Sequence, residues 1–311
     1  MPIKCKIFWV ILIFLAFHIE IKAQQIEKVV LNPSDTLFGH YNKIEPISGK
    51  IEQVLFLLPG FAQQPESIFT ESKLPYVAAA NNTLTIAMSG GFTLFINEET
   101  RSRIDAVMAD VLEDFPTLKD KPWVMGGFSA GGTIALRYVE YAKQFPDKAL
   151  VDFKGVFTVD SPVDLFDIWN YFERELAKNF SQAGTGEARF IMDLMERQEG
   201  KPAENKERYA ELSPFNLEVE KGNEQYLIDT AVRVYHDVDI SWQLKNRRRS
   251  VFDANYLAAS EMINRLLLAG NERAEFMQSK LTGYRSNGMR HPHSWSIVDE
   301  VECVQWIKSL N

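Results

Sequence analysis

The run Gly127-Phe128-Ser129-Ala130-Gly131 constrains this chain more than any other stretch. It reads G-x-S-x-G, and its flanks matter more than its letters. Before it, Lys121-Pro122-Trp123-Val124-Met125-Gly126 is a turn leading into a short apolar run with the look of a strand. After it, Thr133-Ile134-Ala135-Leu136-Arg137-Tyr138-Val139-Glu140-Tyr141-Ala142 reads as a helix. A serine on so tight a strand-to-helix turn sits in a strained backbone with its hydroxyl pushed outward. The glycines on either side leave room where strand and helix approach each other. A plain glycine-rich turn with a capping serine is the competing reading.

The first residues are expected to lie outside the fold. Lys4 and Lys6 precede an apolar run from Ile7 to Phe17, and Lys22-Ala23-Gln24 then offers a small residue for cleavage. That pattern is a secretory signal peptide over residues 1–23, cleaved near Ala23-Gln24, which predicts a secreted or periplasmic protein. The run is short for a permanent membrane helix, so no stable membrane insertion is expected once it is cleaved. An uncleaved anchor is the alternative. Loss of Lys4, Lys6, Lys22 and Glu20 leaves residues 24–311 at a net charge of −10, against −8 for the whole chain. Such an acidic surface argues against nucleic acid as a partner. Only Cys303 remains as a thiol, so no internal disulfide can form, and packing is its expected role.

Residues 24–311 read as one α/β domain. Ile26 to Ile44 suggests an edge hairpin around Asn32-Pro33-Ser34-Asp35. Ile51–Leu58 becomes an unbroken apolar run that fits a strand buried on both faces, Thr83–Met88 is a second buried-strand candidate, and Phe153–Val159 and Ala231–His236 read as further strands. Arg101 to Phe115 carries apolar residues at helical spacing, and Asn255 to Ala269 and Val301 to Leu310 read as further helices. Ala274 to Gln278 fits a last strand. This alternation predicts a mostly parallel central sheet flanked by helices. At about 161–224 the pattern changes. Helical stretches at Asp164–Phe180 and Ala188–Met195 and a polar tract at Gln198–Lys206 suggest a helical cap insertion over one sheet edge. An ordinary crossover helix with a disordered excursion is the alternative.

Four motifs, Leu57-Leu58-Pro59-Gly60-Phe61, Gly127-Phe128-Ser129-Ala130-Gly131, His236-Asp237-Val238-Asp239 and His293-Ser294-Trp295, follow in an order that resembles the α/β-hydrolase superfamily. The likeness is nearest to its serine esterases and prolyl-oligopeptidase-like hydrolases, and covers roughly residues 50–160 and 225–311. It implies Ser129 as nucleophile, His293 as base and a later carboxylate to orient that base. His291 is the second choice of base; its place before Pro292 biases it to extended backbone. His40 precedes the serine, His236 sits at a strand end, and His18 belongs to the leader. For the acid, Asp239 is the best match and Asp237 the next. Asp160 and Asp164 remain, because some family members place the acid after an earlier strand. The turn after His236 lacks the glycine that the family often carries there. For the oxyanion, the resemblance implies the amides of Ala130 and Phe61. Pro59 stands where family members commonly have histidine, while Gly60 keeps the close backbone approach.

The superfamily implies acyl chemistry with neither metal nor cofactor, on a small-molecule or acylated-polymer ester. It does not give a substrate. A secreted serine hydrolase cleaving a carboxylic ester through an acyl-enzyme is therefore expected, with activity rising as the histidine base loses its proton. A peptidase with the same triad, a silent hydrolase fold used for binding, and haloperoxidase or lyase chemistry are the alternatives. Arg247-Arg248-Arg249 reads either as a solvated turn or as a contact for a substrate carboxylate. Trp169, Tyr171 and Phe172 read as a stripe docking the cap helix or as pocket lining. Gly90-Gly91-Phe92 lacks the lysine and spacing of a phosphate loop.

Overall fold

The computed structural model describes residues 24–310. The expected leader lies outside the described residues, and among those described no helix is long and apolar enough to cross a membrane.

Eight strands form one sheet: β1 (Ile26–Val30), β2 (His40–Ile44), β3 (Gln53–Leu58), β4 (Thr83–Met88), β5 (Trp123–Phe128), β6 (Phe153–Val159), β7 (Ala231–Asp237) and β8 (Ala274–Ser279). Their spatial order is β1-β2-β4-β3-β5-β6-β7-β8. The β1–β2 hairpin and the β2–β4 pair are antiparallel, and every later pair is parallel. Parallel strands need crossovers and are covered on both faces, which is why β3, β4 and β5 are buried at every position.

The pleat sorts their side chains. Val54, Phe56 and Leu58 of β3 join one core cluster, while Leu55 and Leu57 join the other. The first face is packed by α3 (Glu98–Asp114), α4 (Ala130–Gln144) and α8 (Tyr256–Leu268). Two short helices, α1 (Glu66–Glu71) and α2 (Leu74–Ala80), share the second face with α9 (Glu300–Ser309), whose buried Cys303 packs beside Val304 and Ile307. Burying one leucine in such a face is worth about 1.5–3 kcal/mol.

Between β6 and β7 stand three helices, α5 (Leu165–Lys178), α6 (Gln182–Glu199) and α7 (Lys206–Leu212). Asp164 starts α5 by accepting the Phe166 and Asp167 amides, and Asn179 ends it in the left-handed region. These helices have a core of their own, with Trp169, Phe172, Ile191, Met195 and Tyr209 packed against Phe95 and Ala130. The polar tract that carried no helical signal includes the start of α7, a helix held by buried Tyr209 and Leu212.

Register fixes where the functional loops meet. Leu58 lies opposite Gly127, Phe128 opposite Val159, and Val159 opposite Tyr235. The residues that follow these strands therefore emerge at one sheet edge: Gly60 and Phe61, Ser129, Asp160 and, just beyond, the end of β7.

Candidate active site

Ser129 occupies the turn between β5 and α4 at φ 55° and ψ −128°, a conformation that side chains other than glycine rarely adopt. Its neighbours explain how the turn is held. A Cβ on Gly127 would overlap the Gly131 backbone, and one on Gly131 would overlap the carbonyl oxygens of Leu58 and Pro59. The helix can reach the end of β3 only if both positions are glycine. The Ser129 amide donates to the Val159 carbonyl (3.0 Å), and the Ser129 carbonyl accepts from Gly132 and Thr133. The hydroxyl is half-buried and makes no hydrogen bond to another described residue.

The same turn leaves the Ala130 amide without an acceptor, as the first residue of a helix must. At the end of β3 the Gly60 amide is taken by the Gln63 Oε1 (2.8 Å) and the Ala62 amide by the Gly91 carbonyl (3.0 Å). Phe61, between them, has no acceptor among the described residues, and it lines the same cavity as Ser129. The amide that follows the serine and one on a loop lining the same cavity are thus both without acceptors among the described residues.

His293 lines that cavity too, with its ring 4.5 Å from the Phe128 ring. Trp295, fully buried, also packs against Phe128, with ring centroids 5.7 Å apart, and anchors the loop. Ser129 and His293 line one cavity without a hydrogen bond between them in this structure.

The carboxylate at His293 is Asp160, not Asp239. Its Oδ2 lies 2.7 Å from His293 Nδ1, and its Oδ1 lies 2.8 Å from His236 Nδ1. Asp239 is bound elsewhere. It caps the turn Ile240–Trp242 by accepting the Trp242 amide (3.0 Å), and its other oxygen meets Arg290 (3.2 Å). Asp237 is equally committed. It accepts the Leu281, Thr282 and Gly283 amides and pairs with Arg290 at 2.8 Å. The motif after β7 therefore shapes the loops around the site, and Asp164 is spent on capping α5.

Asp160 follows β6 at φ 46°, in the left-handed region that aspartate tolerates better than most residues. Its amide donates to the Tyr235 carbonyl (2.8 Å), and its own carbonyl accepts from Asn255 (2.8 Å). Burial pushes its carboxyl upward, but hydrogen bonds from His236 and His293 outweigh that and hold it well below the usual carboxylate range. It is ionised at any physiological pH. A carboxylate at Nδ1 places the proton there and leaves Nε2 as the acceptor.

His236 is fully buried, stacked on Phe276 with centroids 5.3 Å apart, and its Nε2 has no hydrogen-bond partner among the described residues. Nothing in the sequence marked it as a second imidazole on Asp160. His291 meets no carboxylate. It accepts the His293 amide on Nδ1 (3.2 Å), and its pKa is pushed down to about 3, by burial first and then by His293, Arg247 and Arg285. His40 pairs with Glu66 at 3.1 Å, away from the site.

The cavity holding Ser129, Asp160 and His293 has a volume of about 310 Å³. Leu94, Ile168, Phe172 and Ile191 give it an apolar wall, so part of the aromatic stripe on α5 does both jobs, docking the helix and lining the pocket. Arg247, Arg249 and Arg285 line it as well. Among the described residues, no group of acidic, histidine or cysteine side chains is arranged to hold a metal ion.

This sheet order, with a serine on the turn after the central strand, is the α/β-hydrolase fold. Solved structures agree. Carboxyl esterase 2 of the fungus Tuber melanosporum superposes with a TM-score of 0.56 at 14% identity, over 93% of this chain and 85% of the other. An esterase of Pyrococcus furiosus gives 0.55 at 12% identity, over 92% and 90%. The acylaminoacyl peptidase of Pyrococcus horikoshii gives 0.52 at 14% identity, over 96% of this chain and 42% of that longer one. No protein-family model and no curated protein sequence matches the chain.

Proposed function

We propose that the chain is a serine hydrolase that cleaves a carboxylic ester through an acyl-enzyme. The observation that carries this reading is the 2.7 Å contact of Asp160 with His293, in one cavity with a serine on a positive-φ turn.

Ser129 Oγ attacks the ester carbonyl while His293 Nε2 takes its proton. Asp160 keeps the Nδ1 proton in place and stabilises the imidazolium. The oxyanion forms between the amides of Phe61 and Ala130. Collapse of the tetrahedral intermediate breaks the ester C–O bond, and His293 returns the proton to the departing alcohol. Water then repeats the sequence on the acyl-serine and releases the acid. The helices α5 to α7 act as the cap, and residues 1–23 as the export signal of a secreted or periplasmic enzyme. The esterases among the structural neighbours favour an ester over a peptide.

The test is a hydrolysis screen with p-nitrophenyl acetate, butyrate and longer acyl esters, alongside peptide p-nitroanilides. Ester turnover that disappears in Ser129→Ala is the expected result. Turnover retained in that variant would rule out the assignment, and turnover of anilides alone would make the chain a peptidase.

A further inference from the structure

The cavity beside Ser129 carries positive charge that the protein does not neutralise. Its acidic residues are largely spoken for. Asp160 is held by two imidazoles, Asp237 by Arg290 and three amides, and Asp253 by Arg174 and Lys178. Glu187 stands exposed at the rim. Of the arginines, Arg249 pairs with the buried Glu175 at 3.3 Å and lies over the Tyr171 ring at 4.9 Å.

Arg247 and Arg285 differ. Among the described residues neither guanidinium has a carboxylate within 4.0 Å or a hydrogen-bond acceptor. Each rests on an aromatic face, Arg247 5.7 Å from the Trp242 centroid and Arg285 5.4 Å from that of Phe128. Phe128 is the ring that packs on His293, so Arg285 sits one side chain from the proposed base. Both guanidinia depress the protonation of His291, which places them around the same loop. Arg248, at φ 54°, turns the chain between its neighbours, and its own guanidinium lies over exposed Phe180, outside the cavity.

A guanidinium held on a ring face with its N–H donors unused is preorganised for a planar anion. Burial first, then the neighbouring Arg249, push the Arg247 pKa down, and the more distant Glu175 and Glu187 offset this only in part. Leaving two such groups half-buried in the wall of the cavity that Ser129 and His293 line is costly unless something of opposite charge arrives.

We propose that the substrate is an anionic ester, with a carboxylate on its acyl or alcohol half bound by Arg247 and Arg285. This rests on the hydrolase reading and specifies the substrate class of the same site.

Two pairs of probes test it and separate the halves. p-Nitrophenyl hemisuccinate against p-nitrophenyl acetate puts the charge on the acyl side. 4-Acetoxybenzoate against phenyl acetate puts it on the alcohol side. After subtraction of spontaneous hydrolysis, at least one anionic ester should show a kcat/KM about tenfold or more above its neutral partner. In the double variant Arg247→Gln, Arg285→Gln that ratio should fall about tenfold or more. Arg248→Gln should leave the ratio where it was. Salt approaching about 1 M, where the screening length is about 3 Å, should erode it. Neutral esters preferred by the wild type, or a ratio unmoved in the double variant, would overturn the inference while Ser129-dependent turnover kept the hydrolase reading intact. If no ester is turned over, the hydrolase reading fails, and calorimetric binding of 4-acetoxybenzoate to Ser129→Ala decides the anion site separately. Binding lost in the arginine variants sustains it; no binding overturns it.

Discussion

Replacing Asp160 with asparagine separates the two possible acids more sharply than any other change. The carboxylate accepts from two imidazoles, at 2.7 and 2.8 Å, one on each oxygen. Asparagine offers one carbonyl oxygen and one NH2, so it can accept from only one of them. The other Nδ1–H then faces a donor, and either the hydrogen bond is lost or the ring changes tautomer. If His293 is the one that changes, Nε2 carries the proton and cannot take one from Ser129. Loss of the correct tautomer in a Ser-His-Asp set costs about 10⁴ in kcat, or about 5.5 kcal/mol. The buried mismatch costs stability as well, about 1–3 kcal/mol. Asp239→Asn disturbs only a cap and one bond to Arg290, and should cost about tenfold or less in rate, about 1 kcal/mol. The assay is p-nitrophenyl acetate hydrolysis with urea unfolding of each variant in parallel. Asp160→Asn within tenfold of wild type, with Asp239→Asn down by a thousandfold, would refute the assignment.

Other consequences follow from the same geometry. His236→Ala removes one of the two donors that fix Asp160 and should lower kcat/KM by about tenfold to a hundredfold, less than Asp160→Asn, measured on the same ester. Ser129→Gly relieves a side chain held at φ 55° and should raise the unfolding free energy by about 1 kcal/mol while abolishing turnover, read by thermal melts beside the ester assay. Glu140 is fully buried, neither carboxyl oxygen has a hydrogen bond among the described residues, and burial raises its pKa well above the usual range even though Arg137 lies 3.7 Å from Oε2. The folded state therefore keeps a proton that the unfolded chain releases, and stability from this group falls as pH rises above the ordinary glutamate value. Glu140→Gln should then be more stable than wild type by about 1 kcal/mol or more at pH 8, with the gain vanishing near pH 4, as followed by urea titrations at both values.

The parts legible from residues alone are those governed by local rules. The strand, serine turn and helix at 123–144 were readable because the glycines at 127 and 131 answer a steric demand within a few residues of the serine. The buried strands are legible as short, mostly apolar runs without strict polar alternation, clearest over residues 54–58, since a parallel sheet covered on both faces needs none. Asp160 was harder to rank, because its role depends on which carboxylate the fold brings to His293, 133 residues further along. Asp239 had the better local pattern, but Arg290 and the Trp242 amide compete for it, and neither is visible in a motif. His236 shows the same limit: a strand-end histidine carries no mark of the aspartate that meets it across a neighbouring strand. The triple arginine read naturally as a solvated turn, and Arg248 is one. A single left-handed residue sends its two neighbours to the cavity wall instead. Helices α1 and α2 are too short to show a periodic stripe in the sequence.

Treatment with a fluorophosphonate probe, followed by peptide mass spectrometry, interrogates the serine itself. A single adduct on Ser129, absent from Ser129→Ala and formed at least about a thousandfold more slowly in His293→Ala, is the expected outcome. A folded wild-type protein that stays unlabelled, or one labelled at a different residue, would contradict the proposal that this hydroxyl is the nucleophile.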